Sequence, residues 1–81
     1  MFGLNQRILY KILELPKHLQ TTILTVYRLG TCTAEDVSKV TRKTRAVESA
    51  YLNQLLVMGA VSKVRHGHKA YFSLVREALE F

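Results

Sequence analysis

A chain of 81 residues with 12 Lys plus Arg against 6 Asp plus Glu, a formal net charge of +6, one cysteine and a 48% hydrophobic share is one small domain with a modest core. It leaves no room for separate catalytic and substrate modules, and its longest apolar run, Leu55 to Val61 counting Gly59, is far short of the roughly 20 residues that span a bilayer. Met1 to Arg7 has no basic stretch followed by an apolar run and cleavage site, and a lone Cys32 suits a reducing interior, so a cytoplasmic location without a membrane partner is expected.

Between Asn5 and Leu15, Ile8, Leu9, Ile12, Leu13 and Leu15 fall at helical spacing, with Arg7, Lys11 and Glu14 on the wet side. Pro16 disfavours helical geometry at Leu15 and can itself start a helix, which predicts a break there. The next helix is predicted from Lys17 to Leu29, where Leu19, Ile23 and Tyr27 repeat every four residues beside Leu24 and Val26, and Gly30 supplies the stop. Thr33 with Asp36 three residues on is a variant capping box for a short helix, Ala34 to Val40, burying Ala34, Val37 and Val40. A turn through Thr41, Arg42 and Lys43 leads to a longer helix, Thr44 to Met58, with a core stripe of Val47, Tyr51, Leu55 and Met58, flanked by Leu52 and Leu56, and Gly59 at its end.

The period then changes to that of strands. Val61 to Arg65 and Ala70 to Leu74 are rich in β-branched and aromatic residues, and Arg65-His66-Gly67-His68-Lys69 between them reads as a polar hairpin tip. Val75 to Phe81 has room for one or two helical turns. Charge is unevenly placed over these elements: Lys39, Arg42, Lys43 and Arg45 fill one seven-residue window and Lys63, Arg65 and Lys69 another, with no acid in either. Only a fold that brings the two windows together makes them one surface for a polyanion.

Helix, short helix, turn, long helix and basic hairpin is the order of a winged helix-turn-helix. Residues 33–61 resemble the helix-turn-helix core of the multiple-antibiotic-resistance (MarR) and arsenical-resistance (ArsR) regulators and of small archaeal winged-helix proteins. Leu52, Leu55 and Gly59-Ala60-Val61 carry the likeness, since two leucines three apart are followed by a glycine leading into the first wing strand. It extends over about Pro16 to Leu74 and implies a mainly α fold with a small β-hairpin (α+β), in one domain over 1–81. That domain comprises an N-terminal helix (1–15), a winged core (16–74) and a short tail (75–81). Two features depart from the family pattern: the turn Val40-Thr41-Arg42-Lys43 has no glycine, and the long terminal helices of MarR-type dimers have no counterpart.

The resemblance implies double-stranded DNA as partner, with the second helix in the major groove and its N-terminal end toward the bases. The turn and helix then offer Arg42, Lys43, Thr44, Arg45, Ser49 and Asn53. Arg45 suits guanine, Asn53 adenine and Ser49 base or phosphate, while Arg42 and Lys43 hold phosphates. The wing offers Lys63, Arg65, His66, His68 and Lys69 to the backbone or the adjacent minor groove. A homodimer is expected through the N-terminal stripe Ile8, Leu9, Ile12 and Leu13, a stripe that core packing or a membrane surface would also explain. Tyr71 points away from Ala70 and Phe72, toward either DNA or the N-terminal helix.

Other classes are weaker. His66 and His68 lack the spacing of a metal site, so no metal or cofactor is expected. There is no Gly-rich phosphate loop and no nucleophile with a base, so no enzyme is expected. A regulator in which Thr44 to Met58 reads sequence is the leading reading. A non-specific architectural DNA-binding protein and a winged-helix protein-interaction module in a larger assembly are the alternatives.

Overall fold

Pro16 divides the helical N-terminal part of the chain in two. In the computed structural model, which describes residues 6–75 and their side chains from Tyr10 onward, α1 spans Gln6–Leu13 and α2 spans Lys17–Leu29. α1 stops two residues short of the expected Leu15, because the residue before a proline is pushed out of helical geometry; Leu15 N–H instead makes a tight bond to the Ile12 carbonyl at 3.0 Å. The corner is pinned by Gln20, whose side-chain amide donates to the carbonyls of Leu15 (2.8 Å) and Leu13 (3.2 Å). α2 ends as expected at Gly30, which sits at φ 82° and donates its N–H to Val26. The helical turns expected after Val75 lie outside the described residues.

α3, Ala34–Thr41, starts with the full capping box. Thr33 Oγ1 accepts from Asp36 N–H at 3.1 Å, and the Asp36 carboxylate accepts from Thr33 N–H at 3.0 Å. The Thr33 N–H bond, seconded by the Thr33 side chain, Lys39 and Lys69, holds the Asp36 carboxyl below the usual carboxylate range. A carboxylate that titrates lower when folded contributes stability that is complete above its unfolded value of about 3.9 and is lost as pH falls through the folded value. Thr33→Ala removes the Oγ1 that caps Asp36 N–H and is expected to cost about 1 kcal/mol at pH 7. In urea titrations the gap between Asp36→Asn and the parent chain should close as pH drops below about 4; a gap constant from pH 7 to pH 2 would contradict this account.

Val37 is buried as expected, but Val40 is 47% exposed. The inward position at the end of α3 falls to Thr41, four residues after Val37, whose hydroxyl bonds inside the fold. The turn's missing glycine is made good by Arg42, which itself takes the left-handed conformation at φ 67° and donates its N–H to Ser38 O at 2.8 Å. Left-handed geometry in a residue with a Cβ costs roughly 1–2 kcal/mol, so this turn is held by its surroundings.

α4, Arg45–Val57, lies within the expected span, with Thr44 Oγ1 accepting from Val47 N–H at its start. Its rotation differs from expectation. The buried residues are Glu48, Leu52 and Leu55, while Val47 and Tyr51 are half-buried and Met58 is 52% exposed. The helix is turned because Glu48 has partners inside: Oε1 accepts from the Thr22 hydroxyl at 2.7 Å and Oε2 from the Thr41 hydroxyl at 2.6 Å. Gly59 N–H bonds Leu56 O and Ala60 N–H bonds Leu55 O, closing the helix with glycine at φ 79° and sending the chain into the hairpin.

The hairpin pairs β1, Val61–His66, with antiparallel β2, Lys69–Leu74. Arg65 pairs with Ala70 and His66 with Lys69, so the loop is only Gly67-His68, and most of the expected five-residue tip is ladder. Gly67 takes φ 62°, as the first position of such a two-residue loop requires. Phe72 anchors the hairpin in the core, and its backbone exchanges hydrogen bonds with Cys32 at 3.0 and 2.7 Å. Cys32 is buried, and that burial, with Asp36 nearby, pushes its thiol up to about 11, which makes it a packing residue and not a reactive one. Ile12, Leu19, Ile23 and Val26 complete the core from the α1–α2 side.

Candidate nucleic-acid interface

The fold brings the whole of the second basic window, Lys63, Arg65 and Lys69, together with one cation of the first, Arg45. Arg45, Ser49 and Asn53, at successive four-residue steps on α4, form one wall of an open cleft of about 250 Å³. Lys63, Arg65, His68 and Lys69 of the hairpin form the other wall, and the start of α3 from Thr33 to Glu35 closes the end. The alternation of β1 explains the entry of Lys63 and Arg65, which share the face that carries Phe72 and Ala70 across the ladder; Lys69 at the hairpin end pairs with His66 and lines the cleft all the same, so alternation does not account for it. Four cationic side chains against the single carboxylate of Glu35 repel one another, and a polyanion laid along the cleft removes that cost.

Other expected residues lie elsewhere. Arg42 and Thr44 are exposed in the turn. Lys43 lies on the other flank of α4, its Nζ 5.5 Å from the centre of the Tyr51 ring, and the His18 ring is tilted against the same ring with the two centres 4.7 Å apart. His66 is on the hairpin face away from the cleft, edge-on to Tyr71 at 5.9 Å, so the two tip histidines diverge. Tyr71 is thereby accounted for as a cross-strand partner on that face. Ile12 of the expected dimer stripe is 1% exposed and belongs to the chain's own core; Leu13 is 56% exposed, with Tyr10 exposed beside it. The side chains of Ile8 and Leu9 lie outside the described residues.

Sequence reasoning missed Glu48, which positions the site without entering it. Its bonds tie α4 to α2 and to the end of α3, and so orient the helix that carries Arg45, Ser49 and Asn53. A signal existed: Glu48, Leu52 and Leu55 are spaced by four and three, a core stripe with a carboxylate at its first position.

Among the described residues, four helices followed by a two-stranded hairpin, with α3–turn–α4 as the central pair, define a winged helix-turn-helix fold of the kind found in ArsR-type regulators. By sequence, the chain belongs to the same family as an uncharacterized protein of Archaeoglobus fulgidus, with which it shares 41% identity over 59 residues, 73% of this chain and 80% of that one. No protein-family model matches it. Among solved structures, it is similar to the AntR antimony-specific transcriptional repressor (TM-score 0.70, 18% identity, 89% of this chain and 64% of that one). It is also similar to BpsR of Bordetella bronchiseptica, whose DNA binding is regulated by 6-hydroxynicotinic acid (TM-score 0.63, 20% identity, 89% of this chain and 58% of that one). A third is the homodimeric winged helix-turn-helix DNA-binding domain of Mb0332 from Mycobacterium bovis, described as a possible ArsR-family regulator (TM-score 0.65, 22% identity, 96% of this chain and 80% of that one). At these identities the likeness is one of fold, and the chain spans less than two thirds of the first two proteins.

Proposed function

We propose that the chain is a sequence-specific double-stranded DNA-binding protein, a non-enzymatic homodimeric transcriptional regulator that works inside the cell on the nucleoid. The observation that carries this reading is the cleft in which Arg45, Lys63, Arg65 and Lys69 converge from α4 and the hairpin. α4 lies in the major groove, where Arg45 offers a bidentate pair to guanine, Asn53 to adenine, and Ser49 a hydroxyl to base or phosphate. Arg42, Lys43 and Thr44 grip phosphates at the helix start, and Lys63, Arg65, His68 and Lys69 grip the backbone beside the cleft or the adjacent minor groove. The second copy docks along α1, where Leu13 and Tyr10 are exposed. Support for a dimer comes from the homodimeric state of the Mycobacterium bovis domain. Among the described residues no helix is long and apolar enough to cross a membrane.

The test is retention of a randomised duplex pool at low salt, with sequencing of the bound fraction. An enriched site of two half-sites about one helical turn apart supports a dimeric regulator. Retention without enrichment would leave an architectural role, and no retention would leave a protein-interaction module. On an enriched site, Arg45→Ala is expected to lose discrimination at one base pair and Lys69→Ala to weaken all sequences alike.

A further inference from the structure

The side of α4 farthest from the core is not its cationic side. Opposite the buried Glu48, Leu52 and Leu55, the residues Ala46, Ala50, Asn53 and Val57 follow one another at steps of four, three and four, all of them exposed and Val57 by 88%. Three of these four are apolar, whereas a helix face turned to water ordinarily carries charge. The one carboxylate of α4 is the one turned inward. Cations stand on both sides of this ridge: Lys63, Arg65 and Lys69 of the hairpin on one flank, and Lys43 over Tyr51 on the other.

A narrow apolar ridge between two cationic flanks matches the cross-section of a major groove, where two phosphate backbones border a floor of base edges. On that floor the one apolar group is the C5-methyl of thymine, and alanine is among the side chains suited to it. We infer that Ala46 and Ala50 read thymine, each packing its methyl against a C5-methyl in the groove. Asn53, next on the ridge, is suited to an adenine in the same stretch. Ala46 and Ala50 are four residues apart, about 6 Å along the helix, which corresponds to thymines about two base pairs apart at about 3.4 Å per step. Short side chains at both positions let the backbone of α4 come close enough for these contacts. The inference rests on the DNA-binding reading above and names what the groove-facing ridge recognises.

The test uses deoxyuridine, which differs from thymidine only by the missing methyl. Each thymine of the enriched duplex is replaced in turn, and Kd is measured by fluorescence anisotropy for the parent chain, Ala46→Gly and Ala50→Gly. Two positions about two base pairs apart are expected to weaken binding by the parent chain roughly fourfold each on losing the methyl, the factor for one CH₂-sized apolar contact. In the matching glycine variant that penalty should disappear, because the methyl has lost its partner. The ratio of thymine to uracil is taken within each variant, so a general loss of helix stability cancels. The uracil scan with the parent chain needs no variant and decides the inference if a glycine chain folds poorly. A bound duplex that tolerates uracil at every position overturns the inference while leaving DNA binding intact, and assigns the ridge to a protein contact instead. A chain that retains no duplex overturns both.

Discussion

Replacing Glu48 by alanine is expected to cost about 3 kcal/mol of folding stability, and replacing it by glutamine about 1 kcal/mol or less. Glu48 is fully buried, and its two oxygens are the acceptors for Thr22 and Thr41. Alanine leaves a void where the longer side chain stood and removes the acceptor of both hydroxyls, each loss worth roughly 1–3 kcal/mol. Thr22 has a fallback in the His18 carbonyl at 3.2 Å, which moderates the total. Glutamine keeps the volume, its carbonyl accepts from Thr41, and its NH₂ donates to Thr22 Oγ1 while the Thr22 proton turns to His18. A domain of this length has about 4–12 kcal/mol in all, taken at roughly 0.05–0.15 per residue, so the alanine chain loses a large share. Urea unfolding of the two variants separates the explanations. Equal losses for alanine and glutamine would mean that this hydrogen-bond geometry does not hold α4.

The second large effect is on salt dependence. Arg42, Lys43, Arg45, Lys63, Arg65 and Lys69 are six cations in the turn, on α4 and on the hairpin, all exposed. If each releases one phosphate counterion, log K falls against log salt with a slope of about −5 per protomer. Between about 50 and 200 mM salt the affinity should then drop roughly 10³-fold. The double variant Lys63→Ala/Arg65→Ala should flatten the slope by about 2. Lys17→Ala/Arg28→Ala, two exposed cations of α2 outside the cleft, should leave it unchanged. Equal flattening by both pairs would show that net charge, and not the cleft, drives association.

These effects trace to two kinds of information in the chain. Helix ends, glycine stops and the hairpin are local matters. Pro16, the Thr33–Asp36 box, Thr44, Gly30 and Gly59 act on backbone groups within about one helical turn, and alternation along β1 and β2 needs only neighbours. For that reason the element order and the winged helix-turn-helix architecture were legible from the amino-acid sequence. The two basic windows were legible too, as windows.

What they form was decided in three dimensions. Thr22 is 26 residues from Glu48, so periodicity alone reads that carboxylate as a polar position and rotates α4 the wrong way. Once α4 turns about the buried Glu48, Arg45 and Ser49 face the hairpin, Ala46 and Ala50 face outward, and Met58 leaves the core. Likewise the ladder register, not the composition of the tip, sends Lys63 and Arg65 into the cleft and His66 to the opposite face. Local sequence determined which elements form, because caps, turns and propensities act over a few residues. Packing and hydrogen bonds between residues distant in the chain determined which face of each element meets a partner.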